Sequence, residues 1–203
     1  MSEVKDTTAF RATALASGLL TTAQLREAEE SVRADLQLAE DTEITDSQII
    51  DKLLQIGRLN RWQVEQLKQG RTRFKLNDYL VIDSIGRGGM GEVYKAVHTM
   101  MGRVEAIKVL PRYKSTPTAI ASFSREIRAL AQLDHPNLVR ALSAGHDANV
   151  YYLVTEYIPG TDLRRLVRAR QKLTMSEAAT IISQAANGLA YAHSRGMIHR
   201  DVK

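Results

Sequence analysis

The sequence predicts an α+β fold that is preceded by a small all-α module. Apolar residues recur at helical spacing through the first 70 residues, alternate as in strands between residues 79 and 110, and return to helical spacing after residue 122; these periods distinguish helix from strand. Because strands come first and helices follow, an α+β fold agrees better with the order than a doubly wound sheet. We expect a helical accessory module and linker over residues 1–75 and a second domain over residues 76–203.

An internal duplication marks the helical module. The stretch SGLLTTAQLREA from Ser17 resembles IGRLNRWQVEQL from Ile56. The copies share a glycine, a leucine and a glutamine, namely Gly18 with Gly57, Leu20 with Leu59 and Gln24 with Gln63. In each copy a residue that caps helices well, Thr21 or Asn60, precedes an amphipathic stretch, which predicts a helix start.

Apolar residues between the copies predict another helix. They are Ile44, Ile49, Ile50, Leu53 and Leu54, and Gly57 is the expected end of that helix. We therefore expect a compact all-α arrangement over residues 8–69, with Trp62 in its core.

The second domain begins with strand patterns. Alternation in YLVIDSIG from Tyr79, GEVYKAVH from Gly91 and VEAIKVL from Val104 predicts three strands. A helical pattern follows in SFSREIRALAQL from Ser122, then a strand pattern in VYYLVTEY from Val150 and a helical one in SEAATIISQAANGLAYAH from Ser176.

Composition excludes several classes of protein. Hydrophobic residues at 44% and charged residues at 25% are ordinary for a globular protein, so disordered and fibrous classes fit poorly. The absence of cysteine excludes disulfides, a thiol nucleophile and a cysteine metal site. No apolar run is long enough to span a bilayer, and the start MSEVKDTTAF lacks the pattern of a signal peptide. We expect a cytoplasmic location and no membrane segment in these residues.

Charge is distributed unevenly between the two parts. Residues 1–60 carry eleven acidic and six basic side chains, for a net charge of −5, and residues 61–203 carry 12 acidic and 22 basic side chains, for +10. This asymmetry favours two modules. A basic second part suits nucleic acid, anionic nucleotides or solubility alone.

The stretch IGRGGMGEV has a GxGxxG pattern at Gly86, Gly88 and Gly91. A dinucleotide fold would place a helix after these glycines, but EVYKAV follows, which is rich in strand-forming residues. A glycine-rich hairpin between two strands agrees better, either as a simple turn or as a loop whose backbone approaches phosphates. No GxxxxGK[ST] motif occurs, so a P-loop is excluded.

Lys108 lies within the apolar strand pattern EAIKVL. Burying an ammonium group without a partner is costly, so the lysine either points to solvent from an edge strand or pairs with a carboxylate. Glu126, in the helical pattern from Ser122, is the available partner.

Together these residues resemble the eukaryotic-type protein kinase family, as found in bacteria, from about Tyr79 to Lys203. Gly86, Gly88, Gly91 and Val93 match the glycine-rich loop, Ala106 and Lys108 match the strand-three lysine motif, and HPNLV from His135 is also typical of the family. The resemblance implies a kinase N-lobe, with an antiparallel sheet and helix αC, followed by the first helices of the C-lobe.

The resemblance also implies an ATP site. Lys108 would hold the α- and β-phosphates and pair with Glu126, while Glu156 and Ile158 would offer backbone groups to adenine. Asp162 would lie near the ribose, or cap a helix, or both. The implied ATP-binding residues are Ile85, Gly86, Arg87, Gly88, Gly89, Met90, Gly91, Val93, Ala106, Lys108, Glu126, Thr155, Glu156, Ile158 and Asp162.

The stretch HRDVK resembles the catalytic loop of the family. By that resemblance Asp201 would orient the attacking hydroxyl and accept its proton, and Lys203 would neutralise charge on the transferring phosphoryl group. A lysine two positions after the aspartate resembles serine/threonine kinases, so the implied substrates are Ser and Thr hydroxyls of proteins. No nucleic-acid partner is implied.

The family pattern continues with an asparagine and the DFG aspartate, which hold Mg²⁺, and neither follows Lys203 in the printed chain. We therefore expect a fragment of a serine/threonine kinase that lacks its own metal ligands and is inactive alone. The alternative is a complete, non-catalytic nucleotide-binding or scaffold module. The helical module is a candidate site for a protein partner.

Overall fold

The computed structural model describes residues 3–88, 91–200 and 202, and divides them into two compact units. One unit holds residues up to Ser84 together with Val97–Met101, and the other holds Ile85–Ala96 and the residues from Gly102 onward. The domain boundary expected after residue 75 stays a prediction. The compact units are defined by contacts within the chain, and such contacts do not show where a domain of a family begins.

Four helices form most of the first unit: α1 (Glu3–Ala16), α2 (Thr22–Leu36), α3 (Asp46–Gln55) and α4 (Arg61–Lys68). Their apolar faces enclose one core, in which Ile49 and Leu53 are fully buried and Trp62 is partly buried. Trp62 meets the ring of Phe74 edge to face, with centroids 6.0 Å apart. The predicted all-α arrangement is confirmed, and Trp62 packs against its core while staying partly buried.

The helix ends of the duplicated segments follow their sequence signals. Thr21 and Asn60 each cap a helix, and each forms a reciprocal pair of bonds with the glutamine three residues later. Gly57 has a φ of 68°, and the amide of Arg58 donates to the carbonyl of Leu53 at 3.0 Å, which closes the end of α3. The two copies therefore share one local arrangement, in which a glycine with positive φ ends one helix and a capping residue begins the next.

Six strands form one sheet: β1 (Lys75–Leu76), β2 (Tyr79–Arg87), β3 (Glu92–His98), β4 (Val104–Leu110), β5 (Ala141–Asp147) and β6 (Val150–Glu156). Their order is β1-β2-β3-β4-β6-β5, and the β1–β2, β4–β6 and β5–β6 pairs are antiparallel. The four strands predicted from alternation are present. Strands β1 and β5 were not predicted, because β1 has only two residues and β5 is mostly exposed.

Helix α5 (Pro117–Leu130) packs against β4, β5 and β6 through Phe123, which is 1% exposed and lies against Leu110 and Leu153. The helix begins earlier than its apolar pattern indicated, because Thr116 caps it and Pro117 occupies its first turn. Proline is favoured there, since its missing N–H has no helical partner.

Helices α6 (Leu163–Arg170) and α7 (Met175–Ser194) follow the sheet, and a short 3₁₀ turn, Arg112–Lys114, precedes α5. Helix α7 lies close to the HPNLV segment: a Cβ atom at Gly188 would be 2.8 Å from the carbonyl oxygen of Asn137. Within residues 3–88 and 91–200, none of the helices combines the length and the apolar character that crossing a bilayer requires. The predicted α+β fold with a preceding helical module is confirmed.

Candidate nucleotide-binding site

The structure joins Lys108 and Glu126 in an ion pair. Lys108 lies on β4 and Glu126 on α5, and Nζ is 2.5 Å from Oε1. Their side chains are 26% and 27% exposed, so the pair lies at the border between core and solvent. The second carboxylate oxygen of Glu126 is buried and makes no hydrogen bond within the described residues. The pair therefore holds the ammonium group in place and leaves part of it accessible to an anion.

Strands β4 and β6 set the surface beside this lysine. Ala106 is opposite Thr155 and Lys108 is opposite Leu153 in the antiparallel register. Residues opposite each other, and residues two apart along a strand, share one face of a sheet. Three predicted site residues, Ala106, Lys108 and Thr155, thus share one face with Leu153.

The three glycines of the loop differ in their surroundings. A Cβ atom at Gly91 would lie 2.2 Å from the carbonyl oxygen of Val109, so the fold requires glycine there. A Cβ atom at Gly86 would meet nothing within 4 Å, and one at Gly88 only the carbonyl oxygen of Gly91, at 3.9 Å. Neither residue has a positive φ. Since the described chain does not require glycine at 86 or 88, the space beside them is available to a ligand.

Arg87, between the outer glycines, is held by two groups that the sequence pattern did not reveal. Its guanidinium lies 2.6 Å from a carboxylate oxygen of Glu92 and donates to the hydroxyl of Tyr113 at 3.1 Å. The bond to Tyr113, followed by the charge of Glu92, raises the pKa of Arg87. Tyr94 in turn donates to Glu92. Tyr113 lies 26 residues along the chain from Arg87, and no periodic pattern marks such a contact.

Backbone groups at the end of β6 and just after it are the ones expected to face adenine. The amide of Glu156 donates to the carbonyl of Arg140 at 3.0 Å, and its carboxylate accepts from the amide of Arg140 at 2.7 Å. Its carbonyl accepts from the hydroxyl of Thr155 at 3.3 Å. In the part of the chain that the structure describes, Ile158 makes no backbone hydrogen bond, and its side chain is 59% exposed. Within the described residues, the backbone N–H and C=O of Ile158 are thus available to a ligand.

Asp162 caps helix α6, because its side chain accepts from the amide of Arg165 at 2.8 Å. The capping role expected for it is confirmed. Ile85 and Val93 lie on β2 and β3, on either side of the loop. The remaining predicted site residues, Gly89, Met90, Asp201 and Lys203, lie outside the described residues.

These features fit a nucleotide phosphate chain and an adenine ring. A partly exposed ammonium group held by a carboxylate suits a polyanion, and side-chain-free positions let backbone N–H groups approach phosphates. For Mg²⁺ the described residues offer no group of three or more metal-binding side chains. The expectation that metal ligands follow Lys203 in the family pattern stays a prediction.

Comparison with known proteins reveals close relatives among bacteria. The chain is 40% identical over 127 residues to the probable serine/threonine-protein kinase PknB of Lactococcus lactis, covering 62% of this chain and 20% of the relative. It is 36% identical over 126 residues to the serine/threonine-protein kinase PrkC of Bacillus subtilis, covering 62% and 19%. The chain thus spans about a fifth of the length of these curated relatives.

Solved structures give the same result for the fold. The crystal structure of the Mycobacterium tuberculosis PknI kinase domain is similar with a TM-score of 0.54 and 30% sequence identity, over 64% of this chain and 53% of that chain. A mutant form of the same kinase domain is similar with a TM-score of 0.55. Residues 79–203 match the family model of the protein kinase domain, and the chain therefore belongs to the protein kinase family.

Proposed function

We propose that this chain supplies the ATP-binding part of a serine/threonine protein kinase, which transfers the γ-phosphate of ATP to Ser or Thr hydroxyls of protein substrates. The ion pair between Lys108 and Glu126 carries the proposal, since the lysine stays partly exposed and is followed in the chain by Val109, whose backbone lies against Gly91 of the glycine-rich loop. The names of the bacterial relatives support the serine/threonine class.

The residues have separable roles in this proposal. Lys108 neutralises charge on the α- and β-phosphates, and Glu126 fixes the position of its ammonium group. Gly86 and Gly88 leave room for the phosphates near the backbone. The carbonyl of Glu156 and the backbone groups of Ile158 bind the adenine edge, above the surface formed by Ala106 and Thr155.

Asp201 and Lys203 complete the proposed chemistry on the basis of their place in the HRDVK motif. Asp201 orients the substrate hydroxyl and accepts its proton, and Lys203 stabilises charge on the transferred group. When bound, Mg²⁺ neutralises the charge of the phosphates. The asparagine and the DFG aspartate that hold Mg²⁺ in the family pattern do not occur after the HRDVK motif in these 203 residues. Losing even one preorganised electrostatic group typically costs about a hundred- to a thousandfold in rate. We therefore propose that a polypeptide of these 203 residues binds ATP without measurable transfer.

Calorimetric titration of the 203-residue chain with ATP and with adenosine tests this function. Replacing Lys108 by alanine should weaken ATP binding about tenfold or more, since hydrogen bonds to charged groups contribute about 1.5–3 kcal/mol. Adenosine, which lacks phosphates, should bind the variant as it binds the wild type. Lys172→Ala, which removes an exposed lysine outside the proposed site, is the matched control.

Two outcomes would contradict the proposal. Absence of ATP binding by the wild type would exclude a nucleotide site in this chain. Equal losses of ATP and adenosine affinity in the Lys108 variant would mean that the lysine supports the fold and not the phosphates. Phosphoryl transfer by the 203-residue chain would contradict only its proposed inactivity, and the proposed ATP site would stand.

A protein partner for the helical unit also stays a proposal. Leu36 and Ile56 are 51% and 45% exposed on that unit, which offers apolar side chains to such a partner. Affinity capture with the whole chain, compared with a Leu36→Ser, Ile56→Ser variant, tests it: capture of the same proteins by both would count against this surface.

A further inference from the structure

Lys95 on β3 contacts the aromatic ring of Tyr157, which lies just after β6. Its ammonium nitrogen is 4.7 Å from the centroid of the ring, and both side chains are partly buried. A cation at this distance over an aromatic face is attracted by the negative charge of that face, and the attraction grows as water is excluded. The contact therefore joins two segments that are distant in the sequence.

The two partners lie beside different parts of the proposed adenine site. Lys95 follows Val93, an expected ATP-binding residue, by two positions on β3, and residues two apart along a strand share one face of the sheet. Tyr157 stands between Glu156 and Ile158, whose backbone groups bind the adenine edge in the proposed function. All five residues belong to the second compact unit, so the contact lies within that unit.

The backbone of the segment 156–158 is held by hydrogen bonds at Glu156 but not at Ile158. The amide of Glu156 donates to the carbonyl of Arg140, and its carboxylate accepts from the amide of Arg140. Ile158 makes no backbone hydrogen bond within the described residues and is 59% exposed. The side chain of Tyr157, between these two residues, is held by Lys95. The direction of the backbone groups at 158 therefore depends in part on this contact.

We propose that Lys95 and Tyr157 are positioning residues for adenine, which act by holding the segment 156–158 beside strand β3. This inference rests on the proposed ATP site. A segment that is already in place costs a ligand less conformational free energy on binding, so the contact should increase the affinity for adenine. Because ATP and adenosine share the adenine ring, the contact should affect both ligands equally. Lys108, which is proposed to bind the phosphates, should affect ATP alone.

Substitutions at both positions can separate the contact between cation and ring from other roles. Tyr157→Leu and Lys95→Met each remove one partner and keep an apolar side chain, whereas Tyr157→Phe keeps a ring and Lys95→Arg keeps a cation that stacks on aromatic faces. We expect the Leu and Met variants to bind both ATP and adenosine roughly two- to tenfold more weakly, which corresponds to the usual strength of such a contact. The Phe and Arg variants should bind both ligands within about twofold of the wild type, because they keep the contact. The double variant Lys95→Met, Tyr157→Leu should bind about as weakly as the single variants, since each single change already removes the same contact.

The experiment measures ATP and adenosine affinity by calorimetry in the 203-residue wild type, these single and double variants, and Arg195→Met. Arg195→Met is the matched control, because it removes a cation whose guanidinium carbon lies 5.2 Å from the centroid of the Tyr191 ring, also within the second unit. We expect this control to bind both ligands as the wild type does. Melting curves of all the proteins show whether they are folded.

The outcomes distinguish this inference from the proposed function. If the wild type binds ATP and the Leu and Met variants bind it equally well, the inference is wrong and the ATP site stands. A loss confined to ATP in Lys95→Met would assign that lysine to the phosphates, and equal losses in Tyr157→Phe and Tyr157→Leu would assign the effect to the hydroxyl group. Either result would overturn the inference, as would additive losses in the double variant or the same loss in Arg195→Met. If the wild type binds no ATP, the proposed function is wrong and the inference falls with it.

Discussion

Replacing Gly91 by alanine tests whether the protein itself, and not a ligand, requires the third glycine of the loop. The added Cβ atom would lie 2.2 Å from the carbonyl oxygen of Val109 and 3.2 Å from its carbonyl carbon. Favourable contacts between non-bonded heavy atoms lie at about 3.5–4 Å, so the backbone at Gly91 and strand β4 must move apart by roughly 1 Å. Both obstructing atoms belong to the backbone and cannot rotate away as a side chain can.

The expected loss of stability follows from this overlap. Forcing extra volume into a packed site costs about 1–3 kcal/mol, so Gly91→Ala should lower the free energy of unfolding by at least about 1 kcal/mol. Urea unfolding followed by circular dichroism measures it.

Gly86→Ala is the matched control for this experiment. Its Cβ atom meets nothing within 4 Å, so the unfolding curve should stay within about 0.5 kcal/mol of the wild type. ATP affinity should fall instead, because the methyl group occupies space left for the phosphates. Superimposable unfolding curves for Gly91→Ala and the wild type would refute the steric reasoning. Unchanged ATP affinity in Gly86→Ala would refute the assignment of that space to a ligand.

Three further predictions concern charged groups. Glu126→Gln removes the charge that holds Lys108, so ATP affinity should weaken several-fold in calorimetry, with the change confined to ligands that carry phosphates. Arg11→Met removes bonds to two carboxylates and one carbonyl across α1, α2 and α3; the free energy of unfolding reported by Trp62 fluorescence should fall by about 1–3 kcal/mol. The pKa of Glu177 is lowered from 4.5, chiefly by a hydrogen bond from the backbone N–H of Thr174. The stabilisation that the ionised Glu177 carboxylate gives to the cap of α7 is therefore present above its ordinary pKa and is lost as the pH falls through its lowered pKa. Carbon NMR of the Glu177 carboxyl group should show this titration below pH 4.5. Glu177→Gln should abolish it.

Local signals accounted for much of the fold. Strand β4 spans the residues predicted as a strand, Val104–Leu110; it is buried on both faces, and a short apolar run bounded by polar residues indicates such a strand locally. The caps at Thr21 and Asn60 were equally predictable, since a capping bond spans three residues. The start of α5 was missed because Thr116 and Pro117 precede its apolar face and carry no periodic signal.

Contacts across long separations accounted for most of what the sequence did not reveal. The pair of Lys108 and Glu126 could be anticipated, because a lysine in an apolar strand needs a partner. The partners of Arg87 could not, since an exposed arginine is satisfied by water as well as by Tyr113. The hydrogen bond that the side-chain nitrogen of Asn60 donates to the carbonyl of Ile82 could not be predicted for another reason: helix capping already explained an asparagine at that position.

The packing of the helices onto the beginning of the sheet has a practical consequence for solubility. The family match begins at Tyr79, but Phe74, Leu76 and Val81 are each less than a tenth exposed in the unit that holds the helices. A polypeptide cut at Tyr79 would lose the first two of these residues and would present the apolar side of its first strand to water. Exposed apolar patches and unpaired strand edges promote association. We therefore expect the kinase region to aggregate when it is separated from its helices, even though no catalytic residue has been removed.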